Sequence, residues 1–368
     1  MKSVKLNYGV ACAAEPSKGH NRWHWDIPPA VEAELGEEVE LETRDALDGQ
    51  VTPATAAADL LKINLDVVHP LTGPVFVKGA EPGDLLEVDI REVKPADWGF
   101  TVQMPGFGFL RDEFPDPYIV KWKIADGWAT SAELPGVRVR DGSFMGTIGV
   151  APSEELRREI LRREEHLRER GGFVLPPEAK GAVPAREPVA SEGLRTIPPR
   201  ETGGNLDIKQ LSAGARLLLP VFVAGALFSV GDAHFAQGDG ESCGTAVEMS
   251  ASVLLKFALR KGEAARHKIR FPRFERDDYF VPPELAAPKR FLATTGMCIR
   301  DGVNESENAT MAAHHALMNM IALLMERGWS RQQAYAICSV AVDLRLSEVV
   351  DVPNFVVSAL LPLAIFDK

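Results

Sequence analysis

The sequence predicts a mainly β protein with an α+β portion: a jelly-roll or β-sandwich-like core closed by C-terminal helices. Three observations carry this expectation. Leu86, Val88 and Ile90 alternate with Glu87, Asp89 and Arg91, the period of two that half-buries a strand. Pro-Gly pairs at Pro82-Gly83, Pro105-Gly106 and Pro135-Gly136 cut residues 1–150 into short segments, which suits a sandwich better than a βαβ array. Near the end the signals become helical, with Ser330 and Gln333 at the spacing of a capping box.

Taken in order, residues 1–150 read as a β-rich half. Residues 151–202 read as a helix and a Pro-rich connection. Ser153 is a suitable N-cap, Glu154 and Glu155 complement the positive end, Arg168 and Arg170 the negative one, and Gly171-Gly172 stops the helix. Pro176-Pro177, Pro184, Pro188 and Pro198-Pro199 then keep the chain extended. Residues 203–368 read as a β-rich catalytic half with two final helices, the first running from about Asn304–Ser306 to Arg327. The stretch from Gly83 to Val88 echoes that from Gly214 to Leu219; a duplicated β unit or two similar turn-to-strand entries would both produce this.

The formal net charge of -11 argues against nucleic acid, and the basic run Arg157–Arg170 alternates with glutamates as a solvated helix face does. The N-terminus lacks the apolar stretch of a signal peptide, and the longest apolar runs are too short to span a bilayer. Cys12, Cys243, Cys298 and Cys338 form no CxxC pair. A cytoplasmic protein without nucleic-acid or membrane partners is the expectation.

The densest polar constellation runs from Gly231 through Asp232, His234, Gln237 and Asp239 to Glu241, directly after an apolar strand. Residues two apart on a strand share a face, so Asp232 and His234 point together. Asp239 and Glu241 do so as well if the strand resumes after Gln237-Gly238. One imidazole with several carboxylates suits a divalent ion, although Asp and Gly also crowd ordinary surface hairpins. Asn205 and Asp207 form a second polar island, where Asp207 either adds a ligand or makes an Asx turn. The loop His20–Asp26 packs Arg22, Trp23, His24 and Trp25 together, a composition for the wall of a small-substrate pocket or for an aromatic loop lying on a sheet. His69, His166 and the pair His314-His315 carry no ligand spacing.

At these residues the chain resembles the acetamidase/formamidase family. The similarity runs through Gly203-Gly204-Asn205-Leu206-Asp207, Leu219-Pro220-Val221, Gly231-Asp232-Ala233-His234 and Gln237-Gly238-Asp239-Gly240-Glu241. Gly19–His24 and Leu194–Arg200 resemble its longer formamidase branch, and Glu248 sits where the family carries an acid past the motif. The resemblance implies a jelly-roll-like architecture, a divalent metal such as zinc, and hydrolysis of formamide or acetamide to ammonia and the carboxylate. The metal ligands expected are Asp207, Asp232, His234 and Glu241, with His24 completing the shell. Glu248 or Asp239 would carry the proton, and Arg22, Trp23, Trp25 and Asn205 would line the substrate pocket. A small amide and further copies of the chain in a homo-oligomer are the partners expected. Trp25 and the short Ser242-Cys243-Gly244 segment depart from the pattern and leave substrate preference open.

Two rival readings differ in kind. Cys243 beside Glu241 and His234 would make a thiol nucleophile. A non-catalytic β module binding small molecules would explain the indoles, but not the convergence of His and carboxylates on one turn.

Overall fold

Alternation sets the sheets. In the strand Ala251–Arg260, Val253, Leu255 and Phe257 are buried while Lys256 and Ala258 face outward. The computed structural model describes residues 1–277 and 288–367. A six-stranded sheet runs in the order Lys2–Val4, Glu38–Thr43, Ala251–Arg260, Leu85–Pro95, Ala215–Pro220 and Arg273–Arg276, antiparallel except for its first pair. The segments of the sequence echo, Leu85–Pro95 and Ala215–Pro220, are antiparallel neighbours within it, with Leu86 opposite Leu219.

An eleven-stranded sheet contains Tyr118–Ala125, Trp98–Gln103, Glu248–Met249, Phe228–His234, Phe144–Gly149 and Gly203–Asn205 as successive neighbours, with Leu71–Val77 also paired to Phe228–His234. The two sheets share one apolar core. Val39, Leu41, Val88 and Phe257 come from the first, Val75, Trp122, Ile148 and Phe228 from the second, and the Phe228 and Phe257 rings meet edge to face at 5.2 Å. This is the sandwich that the alternating strands predict.

The helices follow their caps. Glu154–Glu169 begins at Ser153, whose side chain accepts from Leu156 N. Ser330 and Gln333 form both halves of the capping box that opens Arg331–Ala341. Helix Ala309–Glu326 lies on a small antiparallel sheet of Phe291–Met297, Val356–Pro362 and Asp343–Glu348. Gly296 permits that approach, because a Cβ there would stand 2.1 Å from Ala312 O. Helix Arg331–Ala341 braces the loop beyond the central polar motif. Tyr335 Oη donates to Ser242 O, Ser339 Oγ donates to Thr245 O at 2.7 Å, and Cys243 N donates to Ser339 Oγ at 3.0 Å. No helix among the described residues is long and apolar enough to cross a membrane.

Candidate active site

Strand Phe228–His234 is buried along its whole length and delivers Asp232 and His234 to one place. Its pairing passes from Ala233–Met145 to Gly231–Thr147, leaving Asp232 and Gly146 between the paired positions. Asp232 there has φ 59°, a left-handed conformation that an aspartate tolerates better than a branched residue does. Asp207 and Glu241 also have positive φ, 50° and 41°. Three acidic residues held in uncommon backbone conformations around one imidazole are the pattern expected where backbone strain serves a site.

His234 is the centre. Its Nε2 stands 3.3 Å from Asp232 Oδ1, 3.2 Å from Glu248 Oε2 and 3.9 Å from Glu241 Oε1. Donor atoms of Asp207, His234 and Glu241, and likewise of Asp232, His234 and Glu248, lie within 4.8 Å of one another. Gly146 makes room for them: a Cβ there would come within 2.6 Å of Asp207 Oδ1, 2.8 Å of Asp232 Oδ2 and 2.8 Å of His234 Cε1.

Hydrogen bonds set the orientations. Gln237 Nε2 donates to Asp207 O at 2.7 Å, so Gln237 Oε1 is the acceptor 2.9 Å from His234 Nδ1. Nδ1 therefore carries a proton and Nε2 faces the carboxylates. Ala246 N donates to Glu248 Oε1 at 2.8 Å, and Thr147 Oγ1 lies within reach of both Asp232 Oδ2 and Asn205 Oδ1. Asp207 Oδ1 and Glu248 Oε2 are sealed from solvent with no hydrogen-bond partner, although Glu248 Oε2 is close to the imidazole.

The electrostatics follow from crowding. Burial, then the neighbouring Asp232 charge, raises Asp207 to about 7, and burial raises Glu248 to about 7. Burial and Asp207 hold Glu241 well above the ordinary carboxylate value. Asp232 is pushed the other way: burial disfavours its anion, but His69 and His234 outweigh this and hold it below the usual range. For His234, burial disfavours the cation and the charges of Glu248 and Asp232 prevail, keeping it protonated well above 6.5. Four carboxylates around one imidazole, two with unpartnered sealed oxygens, ask for positive charge. A divalent ion fits that donor set.

The cluster borders a cavity of ≈ 100 Å³ also lined by Asn205, His69 and Thr245. Its apolar wall comprises Ala46, Leu47, Val68, Met104, Phe107 and Ile197. Larger open grooves of ≈ 510 and ≈ 830 Å³ lie elsewhere, and neither contains a His-carboxylate group of this kind. Chemistry rather than size selects the smaller cavity.

The other expected site residues lie apart from it. No strand resumes after Gln237-Gly238; residues 235–247 form a loop that points Glu241 at His234 and turns Asp239 away. Asp239 joins a separate ion-pair group, its Oδ2 3.7 Å from Lys209 Nζ and its backbone N bonded to Asp343 Oδ1. His24 Nδ1 accepts from Asp26 N and its ring stacks on Trp25 at 4.0 Å, and it belongs to neither donor group. Arg157 lies over Trp25 at 5.4 Å, so this pair covers the helix Glu154–Glu169. Trp23 packs with Leu71, Leu156, Ile160 and Leu194 and backs the strand carrying Asn205.

Arg22 is fully buried and donates to the carbonyls of Asp66 and Glu178 at 3.3 and 2.7 Å. It thus anchors the segment that contributes Val68 and His69 to the cavity wall. The aromatic loop supports the wall from behind. Cys243 is not among the cavity-lining residues. Its Sγ faces Val102 O at 3.6 Å and Thr245 O at 3.5 Å, and burial raises its thiol pKa, which disfavours a thiolate nucleophile. His69, which its sequence context sets aside for want of ligand spacing, lines this cavity, as does Ile197 of the Leu194–Arg200 stretch; Met104 and Phe107 carry no local signal, and only the tertiary fold gathers them.

The sandwich thus carries a buried His-carboxylate cluster beside a small, half-apolar cavity, a candidate site for chemistry on a small molecule. Comparison with known proteins agrees. The acetamidase/formamidase family model matches residues 5–368, and the chain belongs to that family, whose members are amidohydrolases. It is 36% identical to an acetamidase of Mycolicibacterium smegmatis over 87% of this chain and 84% of that one. It is 35% identical to a formamidase of Methylophilus methylotrophus over 99% and 93%. Among solved structures, a gamma lactamase from Delftia acidovorans superposes with TM-score 0.94 at 38% identity, covering 100% of this chain and 94% of that one. An acetamidase from Bacillus halodurans gives TM-score 0.57 at 26% identity, covering 94% and 96%.

Proposed function

We propose that the chain hydrolyses short amides to ammonia and a carboxylate, with a divalent metal, most suitably zinc, at the His234 cluster. The observation that carries this reading is the buried imidazole ringed by Asp207, Asp232, Glu241 and Glu248 beside a cavity of ≈ 100 Å³. A divalent ion in such a site lowers the pKa of water and polarises a carbonyl, the two demands an unreactive amide makes. Asp207, Asp232, His234 and Glu241 are the holding residues. Glu248 is the proton carrier: its Oε1 is fixed by Ala246 N, and its Oε2 faces the cluster 3.2 Å from His234 Nε2. The four described cysteines are all free and buried, in keeping with a reducing cytoplasm.

One observation favours a second substrate type for the same chemistry. Formamide offers no carbon to an apolar wall, yet Leu47, Val68, Met104, Phe107 and Ile197 supply one. The gamma lactamase relative suggests a small cyclic amide as an occupant. Ammonia release from formamide, acetamide and propionamide, set beside ring opening of a five-membered lactam before and after chelation, tests both readings. Hydrolysis of none of them would remove the proposal.

A further inference from the structure

His69 lines the same cavity as Asp207, Asp232, Glu241 and Glu248, but its ring belongs to neither group of close donor atoms. It is near enough to feel the charges of Asp232 and His234. Its backbone is fixed on both sides by one hydroxyl: Thr196 Oγ1 accepts from His69 N and lies 3.3 Å from His69 O. Ile197, the next residue, lines the cavity too. The imidazole is therefore delivered to the wall by a rigid support.

The ring itself is under-used. Nδ1 is sealed from solvent without a hydrogen-bond partner, and among the described residues none is hydrogen-bonded to Nε2. A sealed lone pair is tolerated better than a sealed N–H, which places the proton of the neutral ring on Nε2. Nε2 is then the nitrogen left to the cavity, presenting one N–H where an amide would sit.

We propose that His69 is a catalytic residue whose Nε2–H donates a hydrogen bond to the carbonyl oxygen of the bound amide and holds the negative charge that develops there as the carbonyl carbon becomes tetrahedral. This rests on the amidase reading of the site. The bond needs no proton transfer. It strengthens as charge builds on the oxygen, so it acts on the rate more than on substrate binding.

His69→Leu keeps the volume and removes the donor, whereas His69→Gln restores an N–H at similar reach. Kinetics with acetamide, metal content and melting temperature are measured on wild type and both variants. The expected result is a fall in kcat of about 10²–10³-fold in His69→Leu with KM changed by less than about threefold. Metal content and melting temperature should stay at the wild-type level, and His69→Gln should recover at least about tenfold of the loss. A kcat for His69→Leu within about threefold of wild type would overturn the inference. So would loss of metal from the variant, which would make the residue a ligand, or equal losses in Leu and Gln, which would make its role one of packing. A wild type that releases ammonia from no amide would instead take down the amidase reading itself.

Discussion

Gln237 and His234 are locked together by an amide that has only one sensible orientation: its Nε2 bonds Asp207 O, so its Oε1 bonds His234 Nδ1. The imidazole is thereby aimed before any ligand arrives. Gln237→Leu keeps the bulk but frees the ring to choose its tautomer. Metal affinity, measured by competition with a coloured chelator, should fall about 10–100-fold. Unchanged affinity would mean that packing alone orients His234.

Gly146 is the floor of the cluster. In Gly146→Ala the new methyl meets Asp207 Oδ1 at 2.6 Å and Asp232 Oδ2 at 2.8 Å, so the carboxylates must part. Repacking of this kind costs about 1–3 kcal/mol. Melting of the metal-free protein should therefore change modestly while metal binding is largely lost. Retention of tight metal binding would show that the donors reach the ion from another side.

Substrate size should be read by Phe107, not by the indoles. Phe107 lines the cavity and packs on Gly244, whereas Trp25 stacks on His24 away from it. Phe107→Ala should raise the ratio of kcat/KM for butyramide over acetamide by about tenfold. Trp25→Ala should leave the ratio within about threefold. The opposite ranking would restore the aromatic loop as the pocket wall.

The metal-free protein should be least stable at alkaline pH. Asp207 and Glu248 have folded-state pKa values of about 7, above their ordinary 3.8 and 4.5. A raised value contributes stability below the unfolded pKa and loses it as pH rises through the folded one. Chelated wild type should therefore lose melting temperature from about pH 4.5 to 8, more steeply than chelated Asp207→Asn/Glu248→Gln. Parallel profiles would contradict the crowding argument. Bound metal needs the ionised forms and should reverse the trend.

What the sequence made legible was what local rules govern. The alternation at Leu86–Ile90 and the caps at Ser153 and Ser330 became the strand and the helix starts they announce. Asp232 and His234 sit two apart on one strand and do converge. Asp239 and Glu241 look equivalent in sequence, yet a loop with φ 41° at Glu241 sends only that residue inward, and no periodicity encodes such a turn. Glu248 was found by family likeness alone. His69 lacks ligand spacing, Ile197 shows only within the Leu194–Arg200 likeness, and Met104 carries no signal, because these residues come from distant segments whose meeting depends on the whole sandwich. The His20–Asp26 loop was conspicuous for a different reason: Arg22 and Trp23 buttress the site's support from behind.

The most direct test of metal-dependent amide hydrolysis at the His234 cluster is ammonia release from acetamide by wild type, His234→Ala and Cys243→Ala, each with its metal content measured before and after chelation. Wild type should carry about one divalent ion per chain. Activity should be abolished by chelator and restored by zinc, His234→Ala should lack both ion and activity, and Cys243→Ala should keep both. Full activity in the metal-free protein, or a Cys243→Ala that is folded and metal-loaded yet inactive, would contradict metal-dependent hydrolysis at this cluster.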